Sequence, residues 1–246
     1  MNMSEEDPVC RQCWQKYFKD FKRELNNNLD IVWLPESFSQ SKFTNSTKGS
    51  NACTLIVLLL SKQIESMDRR NKKREDFLAM DSEESELNLE ILYILAESIL
   101  QGNLLHEQLL AQNTVNHMNL SIPEAINAGG HHLTSIKEWN SFLLLKDLED
   151  SLYSELNEKL SHCMSKFPQR IIYVILIALN RSVLFVIERR HSRISLIDSH
   201  QHAPYGSVIV QTQPPYLENL CSWYCSQLRH KCSMYELSFM YFPISP

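Results

Sequence analysis

Three apolar runs follow one another between residues 171 and 198 with almost no chain between them, and nothing else in the sequence constrains the fold so tightly. Residues 171–179 are a continuous β-branched run of strand character. Asn180-Arg181-Ser182 reads as a turn, residues 183–189 as a second strand, Arg190-His191-Ser192 as a second turn and residues 193–198 as a third strand. Parallel neighbours need a crossover of roughly a dozen residues or more, so connections this short dictate antiparallel pairing. Residues 207–212 supply a fourth strand, and residues 233–242 alternate enough to close the sheet. Between these two, Pro214-Pro215 opens a helix carrying Leu217, Leu220, Cys221, Tyr224 and Leu228 at helical spacing.

Upstream of Pro168 the pattern is helical. Cys13, Trp14, Tyr17, Phe18, Phe21 and Leu25 predict an aromatic-faced helix over 9–28, followed by a polar loop over 31–50. A buried helix is expected over 52–67. Asp81 looks like the N-cap of a helix that continues through Leu87, Ile91, Ile94, Leu95 and Ile99, with a further helix over 103–119. Ser121 and Glu124 match a capping box around Pro123, and Gly129-Gly130 stops that short helix. Ser135 and Glu138 open another helix in the same way, and residues 147–163 are amphipathic. The expected fold class is therefore α+β in a single domain over 1–246. A helical lobe over about 1–165 packs on an antiparallel sheet lobe over about 166–246.

Composition removes several function classes. The chain holds only five glycines, and no Gly-rich phosphate loop or dinucleotide fingerprint can be assembled from them. The net charge of -5 disfavours nucleic acid as a partner, because phosphate binding needs a basic surface. The one basic run, Arg69 to Arg74, is flanked by Asp68, Glu75 and Asp76 and reads as a solvated loop. The longest apolar runs, 52–60 and 171–179, reach about half of the ~20 residues a membrane span needs, so no membrane insertion is expected. The start is acidic and lacks an apolar signal core, so the expected location is cytoplasmic, extending to the nucleus. Seven cysteines at irregular spacing, including Cys10-x-x-Cys13 and the group Cys221, Cys225, His230 and Cys232, read as reduced structural thiols. No metal and no cofactor is expected.

Two short segments carry candidate chemistry. Cys53 follows a turn-prone stretch and opens an apolar helix. A thiol there sits in the positive end of the helix dipole beside free N–H groups, which favour the thiolate and can bind an oxyanion. Asp198-Ser199-His200 closes a predicted strand, and residues two apart on a strand share a face, so Asp198 can orient the His200 imidazole. His202 shares that face as a rival base. Gly129-Gly130-His131-His132 is read as a helix end, because adjacent imidazoles diverge.

With Gln40 thirteen residues before Cys53, these residues resemble the herpesvirus large tegument protein deubiquitinase domain, a papain-like cysteine peptidase. That family places an oxyanion-hole glutamine before its nucleophile and a D-x-H motif late in the domain, followed by a glycine and an apolar strand. Here the counterparts are Gln40, Cys53, Asp198 and His200, with Gly206 and residues 207–212 downstream. The approach to the cysteine, Gly49-Ser50-Asn51-Ala52, is less glycine-rich than the family's. The acid precedes the histidine, unlike papain's order, for which Asn219 is the second candidate. The resemblance implies a papain-like fold and a thiol hydrolase of peptide or isopeptide bonds, with ubiquitin or a ubiquitin-like protein as partner. Two alternatives stay open on the same residues: a catalytically inactive interaction module, and a thiol acyltransferase or transglutaminase-like enzyme.

Overall fold

The computed structural model describes residues 20–43, 50–71, 76, 78–80, 89–115 and 119–243. Its centre is one eight-stranded antiparallel sheet. The strands are β1 (Lys22–Asn26), β2 (Leu29–Trp33), β3 (Lys137–Leu144), β4 (Ile171–Ala178), β5 (Arg181–Glu188), β6 (Arg193–Asp198), β7 (Val208–Thr212) and β8 (Tyr235–Tyr241). They lie in the order β1-β2-β7-β6-β5-β4-β8-β3. The meander expected from the short connections is present as the central run β4 to β7.

Two tight hairpins turn on pairs of residues with left-handed backbone, three of the four being asparagine. Leu179 and Asn180 take φ of 52° and 60° between Ala178 and Arg181, which face each other. Asn27 and Asn28, at 48° and 62°, do the same between Asn26 and Leu29. Positive φ at both central residues matches the strand twist, and asparagine adopts it more readily than other side chains. The second hairpin corrects the expected helix over 9–28: its last residues are β1, and residues 1–19 lie outside the described set.

Among the described residues five α-helices cover the sheet: α1 (Cys53–Arg70), α2 (Leu89–Ala111), α3 (Ile122–Ala128), α4 (Leu148–Lys166) and α5 (Leu217–Gln227). The first three pack on one face with Tyr173, Ile175, Leu184, Val186 and Ile197. The last two pack on the other with Ile172, Val174, Leu176, Phe185 and Leu196. A strand covered on both faces has no solvent side, which is why residues 171–178 are apolar without alternation. Gly102 lets α2 lie against α1, since a Cβ there would stand 2.5 Å from Ile56 Cγ1.

Local signals are realised in several helices. The Ser121 hydroxyl and the Glu124 carboxylate form the capping box of α3, and Asp147 caps α4 by accepting from the Glu149 N–H. The expected Asp81 cap lies outside the described residues. The helix expected to open at Ser135 is instead strand β3, paired along its length with β8. The serine-to-glutamate spacing that mimics a capping box is overridden there by a neighbouring strand. The first 165 residues are thus not purely helical, since β1, β2 and β3 all come from them. Among the described residues no helix is long and apolar enough to cross a membrane.

Candidate functional site

Cys53 is the first residue of α1, behind an Ala52 N-cap that makes no side-chain cap bond. The first-turn N–H groups of a helix have no partner within it, so they face outward beside the thiol. The helix start is fixed by Thr54, whose hydroxyl donates to the Leu120 carbonyl at 2.9 Å and meets the Ser182 hydroxyl at 3.0 Å. The thiol is 6% exposed and lies 3.9 Å from the Asn180 carbonyl in the β4–β5 turn.

Asp198 ends β6 and is fully buried. Its Oδ1 meets His200 Nδ1 at 2.6 Å and accepts the His200 backbone N–H at 2.9 Å. With Nδ1 so engaged, Nε2 of His200 is the nitrogen left to face outward, and the imidazole stands close enough to the Cys53 thiol for each to shift the other's pKa. His202 is placed differently. Its Nε2 meets the other carboxylate oxygen of Asp198 at 2.9 Å, and its ring packs edge-on against Trp33. The imidazole that reaches Cys53 is therefore that of His200, and His202 holds the carboxylate from behind. The Arg181 guanidinium stands 3.8 Å from the same oxygen.

The electrostatics follow from this packing. Burial pushes the Cys53 thiol up, but the hydrogen bond and charge of His200, with the Ser182 hydroxyl and backbone, outweigh it and leave the thiol below its ordinary value. Burial pushes His200 down, but the Asp198 carboxylate and then Cys53 raise it to about 9. Burial would raise Asp198, yet the two imidazoles hold it well below the usual carboxylate range. The site favours a thiolate beside an imidazolium, which makes the sulfur a better nucleophile than an ordinary thiol. Three other cysteines behave oppositely. Burial pushes Cys163 and Cys225 up to about 11 and Cys221 higher still.

Gln40 joins the two arms of the site. Its amide nitrogen donates to the Ser50 carbonyl at 2.9 Å, on the segment leading to Cys53. Its amide oxygen accepts the Ser199 hydroxyl at 2.8 Å, between Asp198 and His200. Its backbone N–H donates to the Ser199 carbonyl at 2.8 Å, and its carbonyl accepts from Asn103 at 2.9 Å. Asn103 also accepts the Ser50 hydroxyl at 2.6 Å. Asn103, Ser182 and Ser199 are site residues that the sequence reading missed. Ser199 was visible inside the D-x-H motif, whereas nothing local marked the other two.

Gly206 locks the loop after His200 to the loop carrying Gln40. Its N–H donates to the Leu34 carbonyl at 2.9 Å and its carbonyl accepts the His202 N–H at 3.0 Å. A Cβ there would stand 2.2 Å from the Pro35 carbonyl oxygen and 2.3 Å from that of Phe38. Close backbone approach is what demands glycine at this position. Asn219 is remote from the site. It donates to the Asn27 carbonyl, at the end of the sheet opposite Asp198.

The helices and antiparallel sheet define an α+β fold of the kind found in proteases. A solved structure sharing it is the ubiquitin-specific protease encoded by murine cytomegalovirus tegument protein M48, in complex with a ubiquitin-based suicide substrate. The match covers 87% of this chain and 87% of that one, with a TM-score of 0.51 and 11% identity, so the likeness is one of fold. No protein-family model and no curated protein matches the chain.

Proposed function

We propose that the chain is a papain-like cysteine hydrolase that cleaves a peptide or isopeptide bond following ubiquitin or a ubiquitin-like protein. The observation that carries this reading is a thiol at the first position of a helix, electrostatically coupled to an imidazole whose Nδ1 lies 2.6 Å from a buried carboxylate. The fold shared with a ubiquitin-specific protease supports the choice of substrate. In this reading the Cys53 thiolate attacks the carbonyl carbon, and the oxyanion takes N–H bonds from the Cys53 backbone and the Gln40 side chain. Gln40 Nε2 has two hydrogens, and the Ser50 carbonyl takes one of them. His200 Nε2 gives its proton to the leaving amine as the C–N bond breaks, which leaves a thioester on Cys53. The neutral imidazole then draws a proton from water, whose oxygen displaces the thiolate. Asp198 holds the ring and stabilises the imidazolium. A nucleophile that must stay reduced suits a cytoplasmic or nuclear location.

Ubiquitin carrying a C-terminal electrophile tests this reading. One covalent adduct is expected on the wild type and none on Cys53→Ala. A folded wild-type protein that stays unlabelled would overturn the assignment, and labelling that persists in Cys53→Ala would move the nucleophile elsewhere.

A further inference from the structure

A groove of about 710 Å³ opens beside His200. Its walls include Trp33, Leu179 and Tyr205, with Arg181 and Arg229 as the charged groups and His200, His202 and His230 as imidazoles. Among the described residues no carboxylate lines it, although acids outnumber bases in the chain by 29 to 24. Carboxylates adjoin its lining residues without entering its walls. Asp198 is held behind its two imidazoles. Glu36 is bound to Lys42 and accepts from Gln201 at 3.1 Å. Asp147 and Glu149 line an adjoining hollow that shares Arg229 and His230 with the groove. Both of those residues are exposed, and among the described residues neither makes an ion pair.

The position of the groove decides which part of a substrate enters it. Cys53 and Gln40, which would meet the acyl carbonyl, are not in its walls, whereas His200 is. His200 is the group that protonates the leaving amine. We infer that the groove is the leaving-group subsite and takes an extended peptide segment bearing Asp or Glu beside the scissile amine. This deepens the hydrolase reading and rests on it for the direction of the substrate. Charge selects the segment, and the apolar walls hold its backbone and stems.

The test uses ubiquitin joined through an isopeptide bond to short lysine peptides flanked by Glu, by Gln or by Lys. Each rate is divided by that variant's own rate on ubiquitin with a C-terminal aminocoumarin. The wild type is expected to prefer the Glu-flanked peptide over the Lys-flanked one by roughly fivefold, the scale of exposed charge pairs. Arg229→Glu with His230→Glu is expected to reverse that order. Equal rates for the three peptides, or an order unmoved by the double variant, would overturn the inference. A second arm needs no turnover. Binding of the fluorescein-labelled free peptides to Cys53→Ala is read by anisotropy, with the Glu-flanked peptide expected to bind more tightly and to weaken as salt rises. If no ubiquitin substrate is cleaved, the hydrolase reading fails while this arm still decides the groove. Indifference to peptide charge in that arm sinks the subsite.

Discussion

At the scale of single residues, the site runs from thiol to imidazole to carboxylate, with a second imidazole behind the carboxylate. Removing the carboxylate should therefore be felt at the sulfur. Iodoacetamide alkylation of Cys53, followed by peptide mass spectrometry against pH, is expected to show a midpoint below the ordinary thiol value of 9.0. Asp198→Asn takes away the main support of the imidazolium, so the midpoint should move up. A wild-type midpoint at or above the ordinary value would mean that no ion pair forms. Cys163 and Cys225, pushed up to about 11 by burial, serve as internal references that should stay unreacted at neutral pH. Gly206 acts by space alone. Gly206→Ala sets a methyl against two backbone oxygens, which cannot rotate aside as a side chain can. We expect a loss of at least about 1–3 kcal/mol in denaturant unfolding, together with loss of probe labelling, because the Gln40 and His200 loops are pushed apart. A variant that keeps both stability and labelling would contradict the close packing.

At the scale of elements, the hairpins and caps show how far local chemistry reaches. The capping box of α3 satisfies two helix-end donors reciprocally, so Ser121→Ala should cost about 0.5–2 kcal/mol in urea unfolding. No measurable cost would show that solvent replaces the cap. The same serine-to-glutamate spacing at Ser135 opens no helix, because β8 offers a full ladder of partners to residues 137–144. The Asn27-Asn28 hairpin carried a readable signal, two residues tolerant of positive φ between strand-length runs. The aromatic periodicity upstream, through Phe21 and Leu25, hid it. Expectations for α1, α4, α5 and β8 differ from the structure only at their ends, while those for 81–119 resolve, among described residues, into the single helix α2. In the first group caps, prolines and apolar stripes agree with one another.

At the scale of the whole molecule, the site is assembled where the C-terminal end of β6 meets the N-terminus of α1, and its charges contribute to stability as well as chemistry. His200 is raised in the folded state to about 9, so its contribution is full below its unfolded value of about 6.5 and is lost as pH rises through 9. Asp198 is depressed, so its contribution is present above about 3.9 and is lost as pH falls through its folded value. The stability advantage of wild type over His200→Gln, measured by urea unfolding, should accordingly be level across about pH 5–6 and shrink between about 6.5 and 9. A constant difference over that range would show that His200 is not held as an imidazolium. The sequence by itself determined the antiparallel meander, since short turns leave a strand no other direction. It also marked Cys53, Asp198 and His200, because a helix start and a strand end confer chemistry on the residues they carry. Tertiary structure decided what local pattern cannot encode. It drew β1, β2 and β3 into the sheet, and set His202 behind Asp198 rather than before Cys53. It also brought Asn103 and Ser182 to residues dozens of positions away. Those outcomes depend on which faces and edges remain free once the rest of the chain has packed, and that is a property of the assembled sheet.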